Sequence, residues 1–155
     1  MPAFEPGDPH FEAKVRDSFS RQPLMEFLGA EITRLAPGEV EVQMAHRPEL
    51  TQQHGYFHAG AISAIADTAG GYAAFSLMPK GASVLTVEYK INLVAPADGE
   101  RLVARGRVQK AGRTLTVCQL SVDVLKDGAR TTCALGQQTV ITLRDTEDAP
   151  PPRTQ

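Results

Sequence analysis

The chain has two cysteines in 155 residues, no surplus of positive charge and no apolar run of the kind that opens a secreted protein. Each lack removes a class of function. Cys118 and Cys133 are too few and too far apart for a metal cluster or a redox motif, so both read as small buried hydrophobes in a reducing compartment. A disulfide between them is the lesser alternative, and neither a metal nor a cofactor is expected. A formal net charge of −2 and a pI near 6.1 exclude general binding to nucleic acid or to a membrane surface. Glu5, Asp8 and Glu12 stand where a secretory signal would need an uncharged core, so the chain is expected to be cytoplasmic. There is no Gly-x-Ser-x-Gly elbow and no internal repeat. With only short stretches outside the first helix and the last strand, an appended helix-turn-helix is not expected.

What is present fits one domain over residues 11–144, long enough to bury roughly two-thirds of its unfolded surface. Residues 1–10 and 145–155, rich in proline and acids, read as disordered tails. Phe11, Val15 and Phe19 fall at helical spacing, and Pro23 opens a second short helix that carries Leu24, Phe27 and Leu28 and stops at Gly29. Residues 31–35 and 39–44 read as strands around a Pro37-Gly38 turn, with Val40, Val42 and Met44 on one face. After a loop over 46–55 and a long apolar helix come four strands, at 83–94, 101–109, 114–125 and 130–143. Asp98-Gly99, Ala111-Gly112 and Asp127-Gly128 punctuate these strands as turns. The order predicts an α+β domain, with a helix, a hairpin, a long helix and then an antiparallel meander curved around that helix.

Residues 57–78 carry His58 and Asp67 as their only groups likely to titrate near neutral pH, in a run otherwise rich in alanine, glycine and isoleucine. A membrane span is a rival by length, but the central aspartate and the neighbouring amphipathic strands favour a buried helix. A carboxylate in such a helix costs several kcal/mol unless it is paired, hydrogen-bonded or protonated, which makes Asp67 the sharpest candidate for chemistry. The bland alternative is an aspartate satisfied by neighbouring hydroxyls such as Ser63 or Thr68, or by solvent at a helix edge. At the helix start, Ala59, Gly60 and Ala61 follow His58, and the first turn leaves backbone N–H groups free to receive an oxyanion. Gly60 taken alone reads equally well as a tight start to the helix.

Asp67 lies nine residues after His58, a half-turn away around the helix and about 13 Å along its axis. One chain cannot bring both groups to the same bond. If both serve it, the carboxylate comes from a neighbouring subunit across a two-fold axis, and dimerisation follows from the chemistry.

The run Gln52-Gln53-His54-Gly55-Tyr56-Phe57-His58-Ala59-Gly60, followed by Asp67, resembles the His-Gly-Gly signature of hotdog-fold acyl-CoA thioesterases of the phenylacetate-pathway (PaaI-like) family. Leu28-Gly29, the strand over 87–93 ending in Ala95-Pro96-Ala97, and the Gly112-Arg113 turn extend the resemblance to roughly residues 20–143. It implies an antiparallel sheet wrapped around one helix, a homodimer or homotetramer, and hydrolysis of acyl-CoA at the subunit interface. By this resemblance Gly60 donates its N–H to the thioester oxygen, His58 orients the loop and Asp67 is nucleophile or general base. Gln52 contacts the acyl carbonyl or the attacking water, and Thr86 positions water. Ala59 replaces the middle glycine of the signature and keeps its donor. The additional His54 reads as a solvent-exposed loop histidine, with substrate positioning as the alternative.

Arg101, Arg105, Arg107, Lys110 and Arg113 lie together in sequence with no acid among them, a local match for the phosphates of coenzyme A. For any single residue of the group, a solvated sheet edge is the competing reading. Arg113 and Lys110 are the nucleotide candidates, and Ala59 and Tyr72 are placed with them as substrate contacts. Tyr72, Met78, Phe57 and Leu85 are candidates for lining the acyl pocket. A hydratase on the same fold and a non-catalytic acyl-CoA sensor are the rival functions. The sequence lacks the differently spaced motifs of the first, and Asp67 speaks against the second.

Overall fold

The computed structural model describes residues 4–146, 148 and 149, so the stretches expected to be disordered lie partly outside the described residues. Helix α1 (Phe11–Ser20) turns Val15 into the core, and Pro23 fixes the first turn of α2 (Pro23–Leu28). Gly29 ends α2 in the left-handed region at φ 63°, its N–H closing on the Glu26 carbonyl. Strands β1 (Ala30–Ala36) and β2 (Glu39–Ala45) form the expected hairpin, with Val40, Val42 and Met44 wholly buried. Helix α3 (Ala59–Phe75) follows a loop that includes a single 3-10 turn, Pro48–Leu50. Then come β3 (Ser83–Leu93), β4 (Arg101–Ala111), β5 (Leu115–Lys126) and β6 (Ala129–Leu143).

The strands make one six-stranded antiparallel sheet in the order β1-β2-β4-β5-β6-β3, and α3 packs against its inner face. This is the α+β hotdog architecture. Small residues let helix and sheet approach closely: a Cβ on Gly106 of β4 would come within 2.4 Å of the Ala69 backbone in α3. Ile65 and Phe75 are completely buried between these layers, and each such side chain contributes roughly 1.5–3 kcal/mol.

Two features differ from the reading of the sequence. The last four strands are not a simple meander, because β3 pairs with β6 and the chain crosses the sheet to place β4 beside β2. Alternation marks a strand but carries no information about its neighbour. Residues 4–10 also pack onto the domain: Asp8 is 5% exposed and accepts from the His10 N–H, and Phe4 lies against Gly38. No helix among the described residues is long and apolar enough to cross a membrane.

Position in the order leaves β3 as an edge strand. Its side chains Leu85, Val87, Tyr89 and Leu93 are 56, 56, 47 and 51% exposed. A long apolar edge of this kind is a template for pairing with another strand.

Candidate functional site

The candidate catalytic residues fall at two places along α3, each beside a cleft of its own. At the start of the helix, the backbone N–H of His58 donates to the Leu50 carbonyl and that of Phe57 to the Ala97 carbonyl, which locks the loop in place. His58 is the N-cap, with its backbone extended and its ring Nδ1 accepting from the Gly60 N–H at 2.8 Å. The resemblance assigns Gly60 as the oxyanion donor, and that N–H is engaged by the His58 ring. The Ala59 N–H has no hydrogen-bond partner among the described residues. Ala59 lines a cleft of about 440 Å³ together with Gln52, Phe57, Leu93, Val94 and Pro96. The Gln52 side-chain oxygen accepts from the His54 N–H within the loop, which leaves its Nε2 as the group able to meet a ligand. The His54 side chain is exposed.

Asp67 sits two and a half turns further along α3, in a cleft of about 820 Å³ lined also by Thr86, Leu85, Tyr72, Gly71 and Arg21. Its partners are not Ser63 or Thr68. The Thr86 hydroxyl donates to Oδ1 at 2.8 Å, and Gln138 Nε2 donates to the same oxygen at 2.6 Å. Thr86 has one proton and gives it to Asp67, so it fixes the carboxylate and has no donor left for a water. Tyr72 shares a hydrogen bond with Ser18 at 3.0 Å and accepts from Gln22 at 2.8 Å, and burial pushes its phenol pKa up. It therefore belongs to the wall of the Asp67 cleft, which neither Lys110 nor Arg113 lines. Leu85 joins it there, Phe57 lines the other cleft, and Met78 is buried outside both.

Gln138 escaped the sequence reading. It occupies the inward phase of β6 with Val140, and a polar residue in that phase is the signal that could have found it.

The basic cluster is largely neutralised, because the acids missing from its own stretch come from the neighbouring strand. Register sets Glu41 opposite Arg105 and Glu39 opposite Arg107. Arg105 and Glu41 are directly paired, and Arg107 lies 3.3 Å from Glu39. Burial raises the Glu41 carboxyl, but the hydrogen bond and charge of Arg105 outweigh it and hold the group below its ordinary range. Arg101 donates to Gln43 at 3.1 Å. Lys110 and Arg113, at the exposed β4–β5 turn, have no salt-bridge partner among the described residues.

Neither cysteine is equipped as a nucleophile. Both are free and buried, and burial pushes the Cys118 thiol up to about 12 and that of Cys133 to about 11. In the folded protein neither is expected to react with Ellman's reagent at mildly alkaline pH, and both react after denaturation. A fast thiol in the native protein would contradict this. No group of His, Cys, Asp and Glu among the described residues is arranged to hold a metal.

Residues 54–131 match the thioesterase superfamily. A Halobacterium salinarum protein that bears a provisional esterase name is 32% identical over 130 residues, covering 79% of this chain and 85% of that one. Among solved structures, a thioesterase family protein from Silicibacter pomeroyi superposes with a TM-score of 0.86 at 50% identity, covering 86% of this chain and 98% of that one. The E. coli PaaI protein from the phenylacetic acid degradation operon superposes with a TM-score of 0.78 over 88% of this chain and 95% of that one. At 20% identity that second likeness concerns the fold alone.

Proposed function

Because the chain belongs to the thioesterase superfamily, we propose that it hydrolyses an acyl-CoA thioester at a site shared between two protomers. The observation that carries this reading is the position of the two clefts along one edge strand. Leu85 and Thr86, near the start of β3, line the Asp67 cleft, while Leu93, at its end, lines the Ala59 cleft. Antiparallel pairing of two copies of β3 near their midpoints brings the start of one strand beside the end of the other. Each Asp67 cleft then opens onto the helix start of the partner, which removes the separation of about 13 Å within one chain. The same pairing covers the apolar edge.

In this arrangement the thioester oxygen sits against the first turn of α3. The Ala59 N–H is available, and the Gly60 N–H joins it when the substrate oxygen displaces the His58 ring. The positive end of the helix favours the charge that develops there. Asp67 of the partner subunit either attacks the thioester carbon or takes a proton from the water that does. Its Oδ1 is held by Thr86 and Gln138, so Oδ2 is the oxygen turned to this work. Water, thioester and the two half-sites suffice to yield the free acid and coenzyme A, and Lys110 and Arg113 are the basic groups proposed for the nucleotide end.

Thiol release from a panel of aromatic, short-, medium- and long-chain acyl-CoAs tests this function. Release from none of them, with binding retained, would favour a sensor or hydratase. Ala59→Pro isolates the oxyanion donor. Proline suits the first helical position, and the extended backbone of His58, at ψ 139°, suits the residue before it. The variant is expected to fold and bind substrate, but to lose on the order of 10²-fold in kcat. Unchanged kcat would assign the oxyanion elsewhere.

A further inference from the structure

We propose that Gln138 is a positioning residue for the reaction, holding the Asp67 carboxylate so that a single oxygen faces the substrate; the proposal rests on the thioesterase reading above. Gln138 is wholly buried in β6, yet its Nε2 reaches Asp67 Oδ1 at 2.6 Å, the Asp67 carbonyl at 3.1 Å and Thr86 Oγ1 at 3.0 Å. Three acceptors converge on one nitrogen, which fixes the orientation of the amide, because the reverse orientation would set its oxygen against the carboxylate. Its Oε1 is then buried with no hydrogen-bond partner among the described residues.

An unpaired buried oxygen is a cost that stability alone does not explain, since an apolar side chain would fill the same space without it. The surroundings are shaped to keep the amide there. A Cβ on Gly70 would lie 1.9 Å from Gln138 Oε1 and 2.6 Å from Leu120, so α3 has a glycine one turn beyond Asp67 where the amide needs room. The sheet thus reaches through a gap in the helix to grip a carboxylate on it. Thr86 and Gln138 also bond each other, so the three side chains form a closed triangle that leaves Oδ2 alone unengaged among the described residues. For Asp67 this removes rotation about its terminal torsion, the freedom that would otherwise let either oxygen turn away.

Gln138→Leu keeps the volume and removes the donor. Its kcat is expected to fall on the order of 10²-fold with KM within about twofold, the signature of lost alignment rather than lost binding. Its melting temperature is expected to hold or rise, because the orphaned oxygen goes with the amide. In an Asp67→Asn background the same substitution is expected to cost little more, whereas a merely structural role would subtract its full effect in either background. Independently of turnover, the Gln138 side-chain amide protons are expected to be protected from exchange in the wild type and released by Asp67→Ala. Wild-type kcat in Gln138→Leu with Asp67→Asn inactive would overturn the role of Gln138 and leave the thioesterase intact. Absence of thiol release from the wild type would overturn the thioesterase, and the amide protons would still report whether Gln138 holds Asp67. Free exchange of those protons would overturn the grip itself.

Discussion

Asp67→Asn is expected to fold normally, bind acyl-CoA with unchanged KM and lose about 10³-fold in kcat. The substitution is unusually clean at this site. The asparagine carbonyl can take the place of Oδ1 and accept the same hydrogen bonds from Thr86 and Gln138, so the amide nitrogen falls where Oδ2 stood. What changes is confined to the one oxygen that can attack or accept a proton. The loss is the same in kind whether Asp67 acts as nucleophile or as base, because an amide does neither. Thiol release by the variant, read beside its circular dichroism, checks this; near-wild-type kcat would remove Asp67 from the chemistry.

A comparable loss is expected from a change that touches neither cleft. Val87 and Tyr89 both lie in the middle of the exposed edge strand and are 56 and 47% exposed. If two copies pair through β3 as proposed, the double substitution Val87→Lys and Tyr89→Lys sets like charges near their own copies across the two-fold axis, where they repel. The expected product is a folded monomer by light scattering, with kcat down by about 10³-fold, because each protomer retains only half a site. A monomer with full activity would mean that one chain completes the site alone.

Much of this was legible in the sequence, for identifiable physical reasons. The central helix was readable because Asp67 and His58 interrupt an otherwise apolar run, and β2 because Val40, Val42 and Met44 alternate cleanly. The separation of His58 and Asp67 along the helix followed from helical rise alone. Partners across the sheet were not readable, because they depend on register. Glu39 and Glu41 neutralise Arg107 and Arg105 from a strand some sixty residues earlier in the chain. Gln138 meets Asp67 from 71 positions away. The hold of His58 on Gly60 is local, but it depends on a ring orientation that spacing does not fix. The place of β3 at the edge beyond β6 was likewise hidden, and both clefts are lined from that strand.

The most direct test of a site built from two protomers mixes two defects. Asp67→Asn and Ala59→Pro chains, co-expressed with different tags and purified as mixed dimers, carry one site with both defects and one with neither. Such dimers are expected to recover about half of the wild-type activity, although each variant alone is nearly inactive. Mixed dimers no more active than their parents would contradict the shared site and return both residues to a single chain.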